Sequence, residues 1–349
     1  MKKKLLIISF LFATAALLSI AITSCRRNPA IKGLHLTTIE QPDEFPTPAY
    51  TFNSNNPLTE EGIALGRKLF YDPILSKDGE HPCADCHEQK AAFGTFEHDR
   101  SHGVNETHTL RNAPVLFNLA WSNFYHWDGA FNSLEEEPVQ PLTGSHEMGE
   151  SFITIINKLE GKKEYREEFR KVFRTPFIRR EFITRALAQF VGSMVSANSR
   201  YDKYKKGQAS FTNEELNGYI VFKAKCNSCH TEPLFTDNSF RNIGLPVDPM
   251  LNDFGRMMVT GKKEDSLKFK VPTLRNVQVS SNYMHDGRFN TLYQCIYHYR
   301  YTIQQGPTVD PSIRGGISLT DTQAQDLVSF LKTLTDSSFL NNPKYKDPG

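Results

Sequence analysis

Pro114 to Leu134 reads PVLFNLAWSNFYHWDGAFNSL, and Pro272 to Leu292 reads PTLRNVQVSSNYMHDGRFNTL. The two stretches align without a gap at an offset of 158, and ten of the twenty-one positions are identical. Each follows a Cys-x-x-Cys-His, namely Cys83-Ala84-Asp85-Cys86-His87 and Cys226-Asn227-Ser228-Cys229-His230. Each is followed by an apolar stripe with helical spacing, Ala188-Gln189-Phe190-Val191 in one half and Leu327-Val328-Ser329-Phe330-Leu331 in the other. Self-similarity of this kind indicates a duplicated module.

Two residues between the cysteines place both sulfurs along one edge of a porphyrin, where they form thioethers with its vinyl groups. The histidine that follows reaches the iron from one side. The competing reading is a zinc site built from two Cys-x-x-Cys pairs. It does not explain why both pairs are followed at once by histidine. At this Cys and His content, chance supplies about 0.003 such motifs per chain, by composition arithmetic on the motif. Cys83, Cys86, His87, Cys226, Cys229 and His230 are therefore expected to hold two covalent haems c, with His87 and His230 on the irons.

Helical periodicity is expected near 59–71, 151–159, 162–173, 178–200, 213–226, 291–302 and 320–335, and no run of alternating strands competes. The expected fold is mainly α: two cytochrome c-like domains related by internal duplication, 59–205 and 206–349, each with one haem c. The length of 349 residues suits two domains.

The first residues stand apart. Lys2, Lys3 and Lys4 precede an apolar run from Leu5 to Ile22, then Thr23-Ser24-Cys25. A basic start, a short apolar stretch and small residues describe an export signal. The last residues resemble a bacterial lipobox, so residues 1–24 are read as a lipoprotein signal peptide and Cys25 as the lipidated residue. An uncleaved anchor of eighteen apolar residues is the alternative. Residues 25–58, with Pro29, Pro42, Pro46, Pro48 and Pro57, read as an extended tether. The expected location is the periplasm, on a membrane through the lipid alone. Without the three signal lysines the chain has 41 − 3 = 38 basic and 39 acidic residues, or −1. Nothing in this balance suggests nucleic acid. Cys295 is left over and reads as a buried small apolar residue.

The motif order, the WDG and HDG of the repeats, and Glu147-Met148-Gly149 resemble the bacterial di-haem cytochrome c peroxidase family over roughly residues 59–340. The resemblance implies a peroxide-reducing enzyme fed by a redox protein. Members of its MauG-type branch instead use peroxide to oxidise side chains on a partner protein. A non-enzymatic electron-transfer cytochrome is the reading of another class, and it requires strong ligands on both faces of both irons.

The family's second haem takes a methionine fourteen residues after the HDG histidine. Here that position is Tyr299, as in the MauG type, with Tyr297, His298, Tyr301 or no ligand as alternatives. Subtracting the repeat offset from Tyr299 gives Pro141, which has no ligating side chain. One haem is thus expected to be capped and the other open. The resemblance also implies that Glu147, twenty residues after Trp127, is a proton-transfer group, and that Trp127 links the haems. Glu137 stands where the family has glutamine. His102 is the candidate for the histidine that caps the first haem in resting peroxidases, with His98 and His108 as rivals. The family's calcium ion would fall on Asn112, Ser280 and Asn282.

Overall fold

A computed structural model describes residues 33–349. The signal peptide and Cys25 lie outside the described residues. Among the described residues no helix is long and apolar enough to cross a membrane.

The architecture is mainly helical, with long irregular connections. The helices that carry the cores are α1 (Glu60–Tyr71), α2 (Phe152–Gly161), α3 (Lys163–Phe173), α4 (Arg180–Gly192), α5 (Asn213–Lys225), α6 (Leu292–Tyr297) and α7 (Asp321–Lys332). Their starts follow side-chain chemistry. Thr59 caps α1 by accepting from Gly62 N–H at 2.9 Å, and Thr212, Thr291 and Thr320 each form a capping box. A π-turn, His298–Thr302, continues α6. Two-residue strands pair as β1 (His102–Gly103) with β2 (Thr107–His108) and as β3 (Phe240–Arg241) with β4 (Phe269–Lys270), both antiparallel.

The two cores are built by the same contact. α1 lies on α4, and a Cβ on Gly66 would stand 1.9 Å from Ala186 O and 2.9 Å from Phe190 Cβ. α5 lies on α7, and a Cβ on Gly218 would stand 1.9 Å from Asp326 O and 2.8 Å from Phe330 Cβ. Only glycine lets the backbones approach this closely. Leu65, Phe70, Phe93 and Phe190 fill one core, and Phe222, Phe235, Leu327 and Phe330 the other. Each such side chain contributes about 1.5–3 kcal/mol by leaving water.

Other correspondences follow the sequence offset. Asn118 and Asn276 are both left-handed, at φ 55° and 57°. Asn118 N–H donates to Met194 O at 2.9 Å and Asn276 N–H to Leu334 O at 3.0 Å. Their side-chain oxygens accept from Ser196 N–H and Asp336 N–H, at 2.9 and 2.8 Å. Isolated bridges join Tyr125 to Phe131 and Tyr283 to Phe289.

Two expectations need correction. The helix expected over 178–200 stops at Gly192, and a new helical turn runs from Arg200 to Lys205. Between them Ser196 exchanges backbone hydrogen bonds with the Asn118 amide, which fixes a non-helical course. The described part of the expected tether, 33–58, is packed rather than free. Phe45 is 5% exposed and meets Trp121 edge-on at 5.1 Å, and Trp121 Nε1–H donates to Pro46 O at 2.6 Å. Arg275 lies 4.8 Å over the Phe45 ring, so this segment touches both halves of the chain.

The end of the chain also crosses over. Phe339 and Tyr345 belong to the first core, with Phe339 5.4 Å from Phe117 and 5.8 Å from Phe93 between ring centres. Gln89 Nε2 donates to Asn342 O at 2.9 Å.

Candidate active site

Each Cys-x-x-Cys-His is placed by a tight turn. Cys83–Cys86 form one helical turn, and His87 N–H donates to Cys83 O at 3.0 Å. His230 N–H donates to Cys226 O at the same distance. The chain then turns back through left-handed residues, Phe93 at φ 57° and Phe235 at φ 55°, which aim a carbonyl at each imidazole. His87 Nδ1 lies 2.9 Å from Phe93 O. His230 Nδ1 lies 3.2 Å from Phe235 O and 3.1 Å from Pro272 O. A carbonyl partner puts the proton on Nδ1 and leaves Nε2 a free lone pair, which is the arrangement an iron ligand needs. Burial lowers the pKa of both histidines, which also favours the neutral ring. The four motif cysteines are free and half-buried. This donor set fits haem c at both motifs.

A cavity of about 310 Å³ is lined by Cys226, Cys229, His230 and Tyr299, and extends to Trp127 and His285. It settles the surroundings of the residues around Tyr299. Tyr297 and Tyr301 face solvent, at 57% and 59% exposure. His298 is buried with both ring nitrogens engaged, Nδ1 with Thr302 Oγ1 and Nε2 with Ile243 O, each at 2.9 Å. Of these four side chains only Tyr299 lines the cavity, and burial raises its pKa.

Trp127 Nε1–H donates to Asn112 O at 2.9 Å, and Trp127 O accepts from Lys270 N–H at 2.7 Å. His285, its partner in the repeat, stacks on Phe269 at 3.7 Å, and burial pushes its pKa down to about 4. Arg111 joins the halves by a two-bond fork to Asp253, at 2.6 and 2.8 Å, and pairs with Asp128 at 2.5 Å.

The same cavity runs on to His126 and Glu137, toward the first motif. Glu137 and Glu147 flank the short helix Val139–Thr143 that contains Pro141. Glu147 N–H donates to Gly144 O at 3.0 Å, and Glu147 O accepts from Val104 N–H at 2.8 Å. Burial raises the Glu147 pKa, and the charge of Glu137 adds to the rise. His126 Nε2 lies 3.2 Å from Glu137 Oε1. Burial opposes a proton on His126, but the hydrogen bond and charge of Glu137, with the charge of Glu147, raise its pKa. The field of Glu137 reaches both Cys83 and His87, and that of Glu147 reaches Cys86. The sequence reading missed His126. Its only sequence signal is its place beside Trp127, aligned with Met284 in the other copy.

His102 is exposed, with its ring 4.6 Å from His98 and 4.4 Å from His108. The structure places it on the surface with these rivals. Asn112, Ser280 and Asn282 all line the cavity. Asn112 Nδ2 donates to Asp99 O and Asn282 Nδ2 to Phe96 O. Among the described residues no three His, Cys, Asp or Glu side chains gather as a metal site. Cys295 is half-buried and also lines the cavity.

Comparison with known proteins gives the class. The family model described as di-haem cytochrome c peroxidase matches residues 60–210. The methylamine utilization protein MauG of Methylophilus methylotrophus is 32% identical over 304 residues, covering 84% of this chain and 87% of that one. Cytochrome c551 peroxidase of Nitrosomonas europaea is 32% identical over 309 residues, covering 86% of each. A crystal structure of a MauG-like protein associated with microbial copper homeostasis superposes with a TM-score of 0.80 at 32% identity, covering 88% of this chain and 98% of that one. The chain belongs to the di-haem cytochrome c peroxidase family, on the side of its MauG-type members. Its cofactors are two covalent haems c, and it is an oxidoreductase that uses peroxide.

Proposed function

We propose that this chain reduces hydrogen peroxide at the haem carried by Cys83, Cys86 and His87. A second haem, carried by Cys226, Cys229 and His230, would be capped by Tyr299. The two halves would be copies of one module that have taken different tasks. The observation that carries this reading is an asymmetry. A carboxyl of raised pKa, Glu147, stands beside the first motif with Glu137 and His126, whereas a phenol lines the cavity at the second.

The first haem would be held by Cys83, Cys86 and His87 and would supply the iron redox chemistry that peroxide reduction needs. The Glu147 carboxylate would accept the proton of the near peroxide oxygen and return it to the far one, as general base and then acid. His126 and Glu137 would hold the charge balance of that carboxylate. Trp127, fixed at Nε1 and at its carbonyl, would pass electrons between the haems. A small redox protein would supply them. A calcium ion, if present, would take Asn112 with the carbonyls of Ser280 and Asn282. The protein would be a periplasmic lipoprotein held by Cys25.

A second reading is oxidation of side chains on a partner protein, in the manner of the MauG type. The tyrosine at 299 and the similarity to MauG favour it. A purely electron-transferring cytochrome would show no high-spin ferric signal by electron paramagnetic resonance, and a high-spin component counts for the enzyme. The direct test is to mix the di-haem protein with peroxide and follow the Soret and near-infrared bands. Both should change, and Glu147→Gln should slow the change by about 10²–10⁴-fold, the usual size of a general acid–base contribution. No change in either haem would overturn the proposal.

A further inference from the structure

Lys270 ends β4 at the wall of the cavity lined by Cys226, Cys229 and His230. Its backbone N–H is committed to Trp127 O at 2.7 Å. Its Nζ makes one hydrogen bond, to Ser122 Oγ at 3.2 Å. No Asp or Glu among the described residues pairs with it, and no nearby charge offsets its desolvation, which pushes its pKa down to about 8. Arg241, on the same cavity wall, is different. It pairs with Asp237 at 2.7 Å and with Asp310 at 2.6 Å. A cation taken out of water without an anion is costly, and proteins rarely leave one so. Among the described residues none supplies that anion.

We propose that Lys270 binds a propionate carboxylate of the haem attached at Cys226 and Cys229. The pair would be a charge-assisted hydrogen bond, about twice as strong as a neutral one. Pro272, two residues on, gives its carbonyl to His230 Nδ1 at 3.1 Å. One strand end would therefore set both the ring of the iron ligand and the propionate edge of the same haem. Through its N–H, it also fixes the peptide of Trp127. A positive charge at this edge stabilises the reduced iron relative to the oxidised one, so Lys270 raises the potential of one haem and not the other.

The inference rests on a haem at the second motif, and haem counting on the purified protein tests that separately. With two haems confirmed, both midpoint potentials are measured by spectroelectrochemical titration of the full protein and of Lys270→Met and Lys270→Arg. Lys270→Met should weaken reduction of the second haem about tenfold, a shift of about 59 mV for a one-electron couple. Lys270→Arg should restore most of it, and the first haem should stay put. Should Lys270→Met fail to load haem, Lys270→Arg still reports, through a moved propionate-bending band in the resonance Raman spectrum of the second haem. Unchanged potentials in Lys270→Met, a shift confined to the first haem, or an unmoved Raman band would overturn the assignment. A wild-type potential that follows chloride concentration would also overturn it, because a solvent anion would then be the partner.

Discussion

His126 Nε2 stands 3.2 Å from Glu137 Oε1, so an imidazole and a carboxylate pair where the family has a neutral glutamine. The charge of His126 lowers the pKa of Glu147 against the larger upward push of burial. Removing that charge with His126→Gln should raise the Glu147 pKa further. In the proposed role Glu147 first accepts a proton, so its carboxylate would be the active form. The acid limb of kcat/KM for peroxide should therefore move to higher pH, with little change on the plateau. An acid limb that stays in place would separate His126 from the proton path.

Tyr299 is the cavity-lining member of its turn, and under the proposed ligation Tyr299→Met would exchange a phenolate oxygen on the iron for a thioether. An anionic oxygen favours oxidised iron more than a thioether does. The second haem's midpoint should rise in Tyr299→Met, and its low-spin ferric signal should change form. A spectrum identical to the wild type would remove Tyr299 from the iron.

Gly66 and Gly218 set the two helix contacts, each with a backbone carbonyl 1.9 Å from where a Cβ would lie. Gly66→Ala or Gly218→Ala should each cost at least about 1–3 kcal/mol, the range for overpacked cores, since a backbone cannot move aside as a side chain does. Gly161 has open space around it and negative φ. Gly161→Ala should be neutral or stabilise by about 0.4–1 kcal/mol. Urea midpoints of the three variants check this.

Arg275 is fully buried and forks onto Asp202 at 2.8 and 2.9 Å. Burial would raise the Asp202 pKa, but Arg275 outweighs it and holds the carboxyl below the usual range. Arg111 does the same to Asp253. A depressed carboxylate stabilises the fold fully above its unfolded pKa, near 3.9, and loses that contribution as pH falls through the lower folded value. Thermal midpoints should therefore hold from about pH 7 to 5 and drop below about pH 4. Asp202→Asn should lower the midpoint at pH 7 and flatten the acid drop.

Much of the site was legible because its signals are local. Cys-x-x-Cys-His is contiguous, and the repeat offset carried the second copy onto the first. The Thr59 cap and α1 followed from a threonine and two acids. Three features were not legible. The end of α4 depends on Asn118, which reaches Ser196 across 78 positions. The burial of Phe45 depends on Trp121 and Arg275, which no local pattern joins to it. His126 and Lys270 carry no motif of their own, and only their placement beside Glu137 and Trp127 gives them meaning. The helical stripes told which residues go inside, but not that the glycines between them bring the backbones into contact.

Gln89 lies just past His87 and is bonded to Phe339 O, 250 positions later. Phe339 and Tyr345 then close the core around Phe93. Bringing such distant segments together carries a loop-closure cost that neighbours avoid. The pocket behind the first iron ligand is thus among the last parts to shut as the chain is made, although its residues are among the first. The packing around Phe93 is incomplete until residues 339–345 are in place.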